Sequence, residues 1–457
     1  MIKRLIPLVF VLLLSASSFA DLKLPEPKSF TLDNGLIVQV IEKPNLPLFS
    51  FQLTFKAGSI YDPVGQEGLA AITNEMFMRG TPTRTDKQIV DEIAFVGGTM
   101  SNYCSRTSGG FSGEFLSENG SKGFEILGDM LANATFSADE FDKIKTRTLA
   151  GIQSAIDNPS AVATELVWEE LLPDNRYAHS ASGKTNTVEN LTLADVQKYR
   201  RDFYNPDNCL LVVCGDITVE QVKKYIESYL KDWQGKSKVP SVGYQPYTFS
   251  DKKILMIDKD DASQTQIRVG LPGLKRNDPD YYAFTVAQTI YAGSFTSRLV
   301  DEIRVNRGLS YGVRLRSSNF KEGGISYVTT FTKNATVGEV LEIIVTESNR
   351  MMTEPITEDE LKGAIKYETG LYPLGFETND DMVSIFSTIW LNDLDRAYFE
   401  NYQSNLTKVT IDQVMKAAQK YFPRDFYRVV LVGKAAEVTD QLVPFGEVTT
   451  KPLDELK

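Results

Sequence analysis

The feature that most constrains the fold of this chain is a repeat of two sequence blocks at a spacing near 220 residues. Ser137–Glu140 returns as Thr357–Glu360, and both have the pattern of a capping box that opens a helix. Block 191–215, a capped helix followed by an apolar run that ends at glycine, returns as block 409–433. Matched blocks in the same order at nearly the same offset predict a chain built from one supersecondary unit used twice.

Each half opens with two runs that read as strands. These runs are Leu36–Ile41 and Phe49–Phe55 in the first half, and Ile254–Ile257 and Gln264–Leu271 in the second. The second run of each pair alternates in character, as a strand with one wet face does. Because long amphipathic segments follow, we predict an α+β fold of two similar halves, each a mostly antiparallel or mixed β-sheet covered by helices on one face.

A stretch rich in Gly, Pro, Ser and Lys separates the two halves. It shows no apolar period, so residues 236–249 are predicted to be a linker that crosses solvent. The N-terminal domain is accordingly predicted over residues 21–235 and the C-terminal domain over residues 250–457.

Residues 1–20 have the pattern of a cleaved secretory signal. They combine a basic start, a short apolar run, and small residues at the third-last and last positions. A membrane anchor is the weaker reading, because the apolar run falls short of the roughly 18–20 residues that a span needs. We therefore expect secretion across an inner membrane into the bacterial periplasm, with no membrane anchor after cleavage.

Charge and cysteine content exclude further classes of protein. The formal charge of -11 becomes -13 once a cleaved signal removes Lys3 and Arg4, and this argues against nucleic acid as a partner. Only three cysteines occur, so disulfides are not expected to hold the chain together. Cys209 and Cys214 lie five residues apart in one apolar run, which places them on opposite faces if the run is a single strand. Both are predicted to be buried free thiols, and Cys104 is also expected to be unpaired.

Residues 65–81 form the most informative motif. Apolar residues recur there at the i, i+3, i+4 spacing of an amphipathic helix that faces a core, and these are Leu69, Ile72, Met76 and Phe77. This spacing leaves Ala71, Asn74 and Glu75 together on another face of the helix.

The frame Gly-Leu-Ala-x5-Met-x3-Gly-Thr81 resembles the pitrilysin family, which includes insulysin, mitochondrial processing peptidase and half-size bacterial members. The zinc helix of that family reads His-x-x-Glu-His. The resemblance places the first zinc ligand at Ala71, the general base at Asn74, the second ligand at Glu75, and the third, a downstream glutamate, at Gly151.

Those four positions predict that the chain has no zinc site of its own. A methyl group cannot bind metal, and a carboxamide cannot accept a proton near neutral pH. Glu75 is expected to be a surface glutamate, since a lone carboxylate makes a poor metal site. The only histidine of the chain, His179, lies outside the motif.

The second half carries the segment Ser297-Arg-Leu-Val-Asp-Glu-Ile-Arg304. Tyr311 follows seven residues after Arg304, and a glycine comes directly after it. This segment resembles the Arg-x6-Tyr pair of the family. The resemblance implies that Tyr311 hydrogen-bonds the oxygen that gains charge in the tetrahedral intermediate, and that Arg304 holds a substrate carbonyl. The alternative is an ordinary pair at a helix end, which caps carbonyls and packs.

Residues 95–105 resemble the edge strand that binds peptide in this family. The candidate peptide-binding residues are Gly97, Gly98, Thr99, Ser101 and Asn102. An unpaired edge can add an extended substrate through main-chain hydrogen bonds. The alternative is a plain hairpin with Gly97-Gly98 as its turn.

The loss of the zinc ligands and the retention of the Arg-Tyr pair lead to one hypothesis. The chain is expected to be the non-zinc subunit of an exported heterodimeric or larger metallopeptidase, inactive alone, with no cofactor of its own and zinc in a pitrilysin-family partner. A scaffold or peptide-binding protein is the second hypothesis. An independent enzyme with another metal at Glu75 is the third.

Overall fold

The computed structural model describes residues 22–245, 251–422 and 428–456. The predicted signal sequence, residues 1–20, and residues 246–249 of the predicted linker lie outside these ranges. The described part contains two six-stranded sheets, each accompanied by helices, as the repeat predicts.

The first sheet contains six strands from the first half of the chain. They are β1 (Lys28–Thr31), β2 (Ile37–Glu42), β3 (Leu48–Phe55), β4 (Thr99–Cys104), β5 (Gly109–Leu116) and β6 (Cys209–Gly215). The second sheet contains β7 (Lys253–Asp258), β8 (Gln264–Pro272), β9 (Val313–Asn319), β10 (Gly324–Lys333), β11 (Arg428–Gly433) and β12 (Glu447–Pro452). All four strand-like runs of the sequence appear as β2, β3, β7 and β8.

Eight helices belong to the first half of the described chain. They are α1 (Leu69–Met76), α2 (Asp86–Phe95), α3 (Gly120–Asn133), α4 (Ala138–Ile156), α5 (Pro159–Leu171), α6 (Thr185–Asn190), α7 (Leu193–Phe203) and α8 (Val219–Tyr229). The second half contributes α9 (Tyr281–Gln288), α10 (Arg298–Val300), α11 (Val337–Thr353), α12 (Glu358–Leu371), α13 (Asn379–Leu391), α14 (Ala397–Glu400), α15 (Tyr402–Leu406), α16 (Ile411–Tyr421) and α17 (Ala435–Leu442). Helix α10 continues as π-helical turns over Asp301–Asn306.

The two sheets share one topology except at one edge. The first has the order β1-β2-β6-β3-β5-β4, and the second has the order β12-β7-β11-β8-β10-β9. Both are mixed, because β2 is parallel to β6 and β7 is parallel to β11, whereas β3, β5, β8 and β10 pair antiparallel with their neighbours. The odd strands are β1, which is antiparallel to β2, and β12, which is parallel to β7.

Helix caps support the repeat with one exception. Thr192 and Thr410 open α7 and α16 with complete capping boxes, and Thr357 does the same for α12. The predicted box at Ser137 is incomplete: its side chain accepts a hydrogen bond from the Glu140 N–H, but the Glu140 carboxylate pairs with a lysine instead of reaching back.

The prediction that helices cover one face of each sheet understates the packing. Most helices cover the expected face, where two large apolar cores form. On the other face, α5 of the first half packs on β8 and β11 of the second sheet, and α13 of the second half packs on β3 and β6 of the first. Each half therefore lends one helix to the other, and Trp168 and Phe386 are buried in these two exchanged contacts.

The two cysteines of the apolar run at residues 209–214 are buried, as the sequence predicts. Cys209 and Cys214 are buried on opposite faces of β6, in different cores, and none of the three cysteines forms a disulfide.

Residues 236–245 form no helix or strand. They nevertheless contact both halves, since the Lys238 N–H donates to the Asp202 carbonyl at 2.7 Å and the Tyr244 hydroxyl donates to the Gly324 carbonyl at 3.2 Å. In the described ranges, no helix combines the length and apolarity that crossing a bilayer requires.

Candidate functional site

The helix with the zinc-helix frame is α1, and a buried carboxylate holds its first turn. Asp62 is fully buried, and its two oxygens accept hydrogen bonds from the N–H groups of Gly68 and Ala70, each at 2.9 Å. Burial raises the pKa of this carboxyl well above its usual value, while the two N–H groups oppose that rise. Asp62 thus supplies the acceptor that Gly68, at the N-cap, cannot supply itself.

Three of the four positions matched to the zinc machinery line one cavity of about 720 Å³. Ala71 and Glu75 are one turn apart on α1, and Gly151 lies on the neighbouring helix α4. The other walls come from α5, from residues 180–186 and from residues 455–456. The structure therefore brings together positions that are about 80 residues apart in the chain.

Asn74 does not share this cavity, which corrects the predicted common face. Its side chain is fully buried on the side of α1 that faces β4 and β5. With its amide nitrogen donating to the Tyr103 carbonyl at 3.2 Å, its oxygen accepts from the Gly110 N–H at 3.2 Å and from the Tyr204 hydroxyl at 3.1 Å. A carboxamide satisfies these neighbours without charge, as full burial requires.

Glu75 is a paired carboxylate and not the simple surface glutamate that the sequence predicts. Its side chain is 22% exposed, and it forms ion pairs with Arg79, three residues beyond the end of α1, and with Arg147 on α4. Arg147 lies one turn before Gly151, so a guanidinium stands beside the cavity where the resemblance places the metal ligands. Two positive groups already neutralise the Glu75 carboxylate, and they would repel a metal cation.

The residues present do not fit a zinc ion. Zinc in proteins takes three or four Cys, His or carboxylate ligands, whereas this wall offers a methyl group, an ion-paired carboxylate and a glycine. In the described ranges, no three His, Cys, Asp or Glu side chains are grouped so that they could hold a metal. A side chain at Gly151 would nevertheless have room, because a Cβ placed there meets no atom within 4 Å.

His179 does not complete such a site. Its Nε2 lies 3.7 Å from the Glu67 carboxylate, and its buried Nδ1 finds no hydrogen-bond partner among the described residues. Burial lowers the pKa of its imidazole, although Glu67 opposes that shift. His179 is not among the residues that line the cavity.

Strand β4 forms one edge of the first sheet, as the resemblance predicts. It pairs with β5 through the register Thr99 with Glu114 to Cys104 with Gly109, and no described strand pairs with its other edge. Thr99 and Ser101 are exposed, and the Asn102 amide lies 2.9 Å from the Asn74 carboxamide.

The two glycines before β4 are not the turn of a hairpin, so that alternative is wrong. The Gly97 N–H donates to the Ala94 carbonyl and the Gly98 N–H donates to the Ile93 carbonyl, both at 3.0 Å. Gly97 has a φ of 66°, so the pair forms a Schellman motif that ends α2. The glycines direct the chain from α2 into the edge strand.

Arg304 and Tyr311 form one stacked surface group with Phe295. The Arg304 guanidinium carbon lies 4.6 Å from the centroid of the Tyr311 ring and 4.7 Å from that of the Phe295 ring. Tyr311 is 78% exposed and Phe295 is 62% exposed. Arg304 makes no ion pair with a described residue, so its charge and the phenol are both directed to the surface.

The contacts of Arg304 and Tyr311 differ from those expected of a pair that caps carbonyls and packs into a core. Neither side chain caps a helix carbonyl within the described ranges, and the tyrosine ring is 78% exposed. Neither residue is among those that line the α1–α4 cavity. The two parts of the predicted site are therefore separate surfaces within this chain.

Sequence reasoning missed the residues that surround the predicted ones. Arg147 could have been suspected, because a basic residue one turn before the third-ligand position faces the same way on a helix. Phe295 carried no local signal, since it lies before α10 whereas Arg304 lies after it, within the π-helical segment. Glu165, which also lines the cavity, has its pKa raised by burial despite the nearby Arg106.

Family models match both halves of the chain. The model described as "Insulinase (Peptidase family M16)" matches residues 38–185, and the model described as "Peptidase M16 inactive domain" matches residues 190–367. The first match covers α1 and Gly151, and the second covers Arg304 and Tyr311.

Known proteins of similar sequence and structure agree with these matches. An uncharacterized zinc protease of Rickettsia bellii is 27% identical over 340 residues, which are 73% of this chain and 80% of that protein. A peptidase M16 inactive domain from Pseudomonas fluorescens has a TM-score of 0.82 at 23% identity and covers 93% of this chain and 99% of its own. A protease from Helicobacter pylori has a TM-score of 0.84 at 17% identity over 90% of this chain and 100% of its own.

Proposed function

The chain belongs to the insulinase family of peptidases, family M16, and from that premise we propose that it is the non-zinc-binding subunit of an exported heteromeric zinc peptidase. In this proposal it supplies Arg304, Tyr311 and part of the peptide chamber to a zinc-carrying partner of the same family. Zinc is held by the partner, and this chain needs no cofactor. The export step, into the periplasm of a bacterium, rests on the sequence of residues 1–20 alone.

One observation carries the proposal: a guanidinium and a phenol are held together at the surface with nothing in the described chain to use them. A buried Arg-Tyr contact would serve stability, but an exposed one costs side-chain entropy and returns little. The stack between Phe295 and Tyr311 restricts the guanidinium before any substrate arrives. Such restriction favours binding, because less freedom is lost in the complex.

The chemistry open to these side chains is hydrogen-bond donation to a peptide under attack. The Tyr311 hydroxyl can donate to the carbonyl oxygen as negative charge develops on it. The permanently charged Arg304 can hold a neighbouring main-chain carbonyl in place through two of its N–H groups. Donors of this kind contribute roughly 3–4 kcal/mol each in a dry site, so the loss of one slows cleavage by roughly two to three orders of magnitude.

Support for the absence of independent activity comes from the α1–α4 cavity. The position of the general base is a buried carboxamide, and the Glu75 carboxylate is engaged by Arg79 and Arg147. The carboxamide cannot accept a proton near neutral pH, and the two guanidinium groups make the Glu75 carboxylate a weaker base. We therefore expect the purified chain to hydrolyse no peptide.

Co-purification from the native exported fraction tests this proposal. The expected result is a second chain that carries His-x-x-Glu-His, and zinc-dependent cleavage of a quenched fluorescent peptide by the mixture but by neither chain alone. Tyr311→Phe should lower the kcat of the mixture by at least about a hundredfold. Tyr367→Phe, which alters another exposed tyrosine of the second half, is the matched control.

A second candidate function is peptide binding or scaffolding without a share in catalysis. The free edge of β4, with exposed Thr99 and Ser101, is the observation that favours it. Recovery of no chain with the zinc motif, or equal cleavage by the wild-type and Tyr311→Phe mixtures, would favour this candidate and refute the catalytic one.

A further inference from the structure

The second sheet ends in a free edge that carries unpaired positive charge. Strand β9 pairs with β10 on one side, and no described strand pairs with its other side. Val313 and Leu315 are buried in the helix-side core, so the alternate residues Arg314 and Arg316 lie on the opposite face. Both arginines are exposed, and we call this pair the arginine edge.

The arginine edge has no acidic partner in the described part of the chain. Neither Arg314 nor Arg316 makes an ion pair or a side-chain hydrogen bond with a described residue. This contrasts with surface arginines such as Arg307 and Arg350, which pair with glutamates. In a chain with a net charge of -11, two adjacent unpaired guanidiniums form a local exception.

Neighbouring groups add to the positive field. Tyr327, directly opposite Arg316 in the β9–β10 register, has its pKa raised by burial and lowered by Arg268, Arg316 and Arg106. Three guanidiniums therefore act on one phenol. Glu165 is the acidic residue that acts on Tyr327, and it also faces Arg106 at 3.7 Å.

The covering helix leaves this part of the sheet open. Helix α5 packs mainly on β8 and β11, the inner strands of the same face, and makes a smaller contact with β10. Strand β9 lies two strands farther out in the sheet order than β11 and one farther than β10. A ligand can thus reach both the main-chain groups of the β9 edge and the two guanidiniums.

We propose that the β9 edge binds an extended acidic peptide segment, whose backbone adds to the second sheet as a further strand. Side chains directly opposite one another on neighbouring strands lie about 4.5–5.5 Å apart, and alternate residues share a face. A segment with carboxylates at alternate positions therefore matches Arg314 and Arg316 while its main chain pairs with β9. Guanidiniums bind carboxylates through two parallel hydrogen bonds, which favours arginine at such positions.

This inference goes beyond the proposed function and needs no zinc-carrying partner. It assigns a second peptide edge, distinct from β4, where the exposed residues are neutral. The competing explanation is that charged residues on an edge strand prevent association between copies of the chain. The two explanations predict different behaviour for the same variants.

The test measures fluorescence anisotropy of a labelled peptide with alternating valine and glutamate, titrated with the isolated full chain. The matched probe has lysine in place of glutamate. We expect the glutamate peptide to bind, the lysine peptide not to bind, and added salt to weaken binding. Arg314→Gln with Arg316→Gln should weaken binding of the glutamate peptide at least about tenfold.

Two controls separate charge from edge pairing. Arg201→Gln with Lys224→Gln removes the same charge from exposed positions of the first half and should leave binding unchanged. Glutamate peptides methylated on alternate backbone nitrogens should differ, because only one set of N–H groups faces the edge. Equal binding of both methylated peptides, or of the glutamate and lysine peptides, overturns the proposal. Unchanged binding by the Arg314/Arg316 variant also overturns it, and aggregation of that variant would then assign the arginines to edge protection.

Discussion

The two halves of this molecule use the same fold to different ends, and the clearest contrast lies beside equivalent helices. In the first half, α1 and α4 leave a cavity of about 720 Å³ between them. In the second half, tyrosines crowd around α9 and α12, the helices at the same places in the order of elements. They are Tyr281, Tyr282, Tyr372, Tyr398 and Tyr402. One half has kept space and the other has filled it.

The same contrast holds for charged groups. In the first half, the two positive groups beside the cavity, Arg79 and Arg147, both pair with the carboxylate of Glu75. In the second half, Arg304 meets aromatic rings, and no described carboxylate pairs with it. The first half therefore places an ion-paired carboxylate beside a cavity, and the second half places an exposed guanidinium and phenol at the surface. Duplication of a fold conserves backbone positions, whereas side chains at equivalent places diverge freely.

The largest expected effect tests whether the halves are separable at all. Trp168→Ala on α5 and Phe386→Ala on α13 each remove a buried aromatic group from the contact that covers the other half's sheet. Each should lower the free energy of unfolding by about 3–5 kcal/mol. Because each half contributes a helix to the other, we expect a single cooperative unfolding transition in urea. Fluorescence and circular dichroism should report the same transition.

Val90→Ala, at an exposed position of α2, is the control and should change the stability little. Two transitions, of which only one shifts, would show that the halves fold independently. The molecule would then consist of two domains that contact each other but are stable separately.

The second effect concerns the donors of the second half. Arg304→Ala should lower the kcat/KM of the complex with a zinc-carrying partner by about a hundredfold. Arg304→Lys keeps the charge but not the planar group that stacks between Phe295 and Tyr311, so we expect it to restore only a small part of the loss. Peptide cleavage by the reconstituted complex measures both. Full activity of the lysine variant would mean that charge alone matters.

The sequence predicted much of the fold because its signals are local. The strands β2, β3, β7 and β8 were visible from alternation, and the helix starts at Thr192 and Thr410 from their caps. The exchange of α5 and α13 could not be predicted, since periodicity identifies an apolar face but not the sheet that it meets. That assignment depends on contacts far apart in sequence.

The candidate site was predictable in position but not in orientation. The frame around α1 located Ala71 and Glu75, and the family resemblance located Gly151 downstream; all three line one cavity. The frame misplaced Asn74, which lies three residues after Ala71 and therefore about 60° from it around the helix axis. This difference is enough to turn the Asn74 side chain toward β4 and β5 and away from the cavity. The spacing of Arg147 to Gly151 could suggest a basic group near the cavity, but its ion pair with Glu75 joins two helices, and only their packing reveals that pair.

The third effect tests whether the first half kept the frame of a metal site. Ala71→His with Glu75→His and Gly151→Glu would place three zinc ligands in the cavity wall. We expect one zinc ion per chain by metal analysis and titration calorimetry. Adding Arg147→Ala should tighten binding by about tenfold, because a nearby guanidinium repels the cation.

Lys143→Ala, an exposed change on the same helix, is the control for altered charge and should leave zinc affinity nearly unchanged. If the triple variant binds no zinc, the cavity does not preserve the geometry of a metal site. The first half would then have diverged in its backbone as well as in its side chains.

The smallest expected effect concerns the tyrosine cluster of the second half and its contribution to stability at alkaline pH. Burial raises the pKa of Tyr402 above its usual value near 10, and its hydroxyl donates to Glu368 at 3.3 Å. Above that pH the unfolded chain loses this proton while the folded chain keeps it, so the free energy of unfolding falls as the pH rises through the unfolded value. One such phenol accounts for a loss of roughly 1 kcal/mol over the first pH unit above 10.

Tyr402→Phe removes both the hydrogen bond and the titrating group. We expect the variant to be less stable than wild type by about 1 kcal/mol near neutral pH. Its urea midpoint should fall less steeply above pH 10, so that the two proteins converge in stability near pH 11. Parallel curves for the two proteins would mean that the Tyr402 phenol is accessible to solvent, and that the second half has kept open space beside α12 after all.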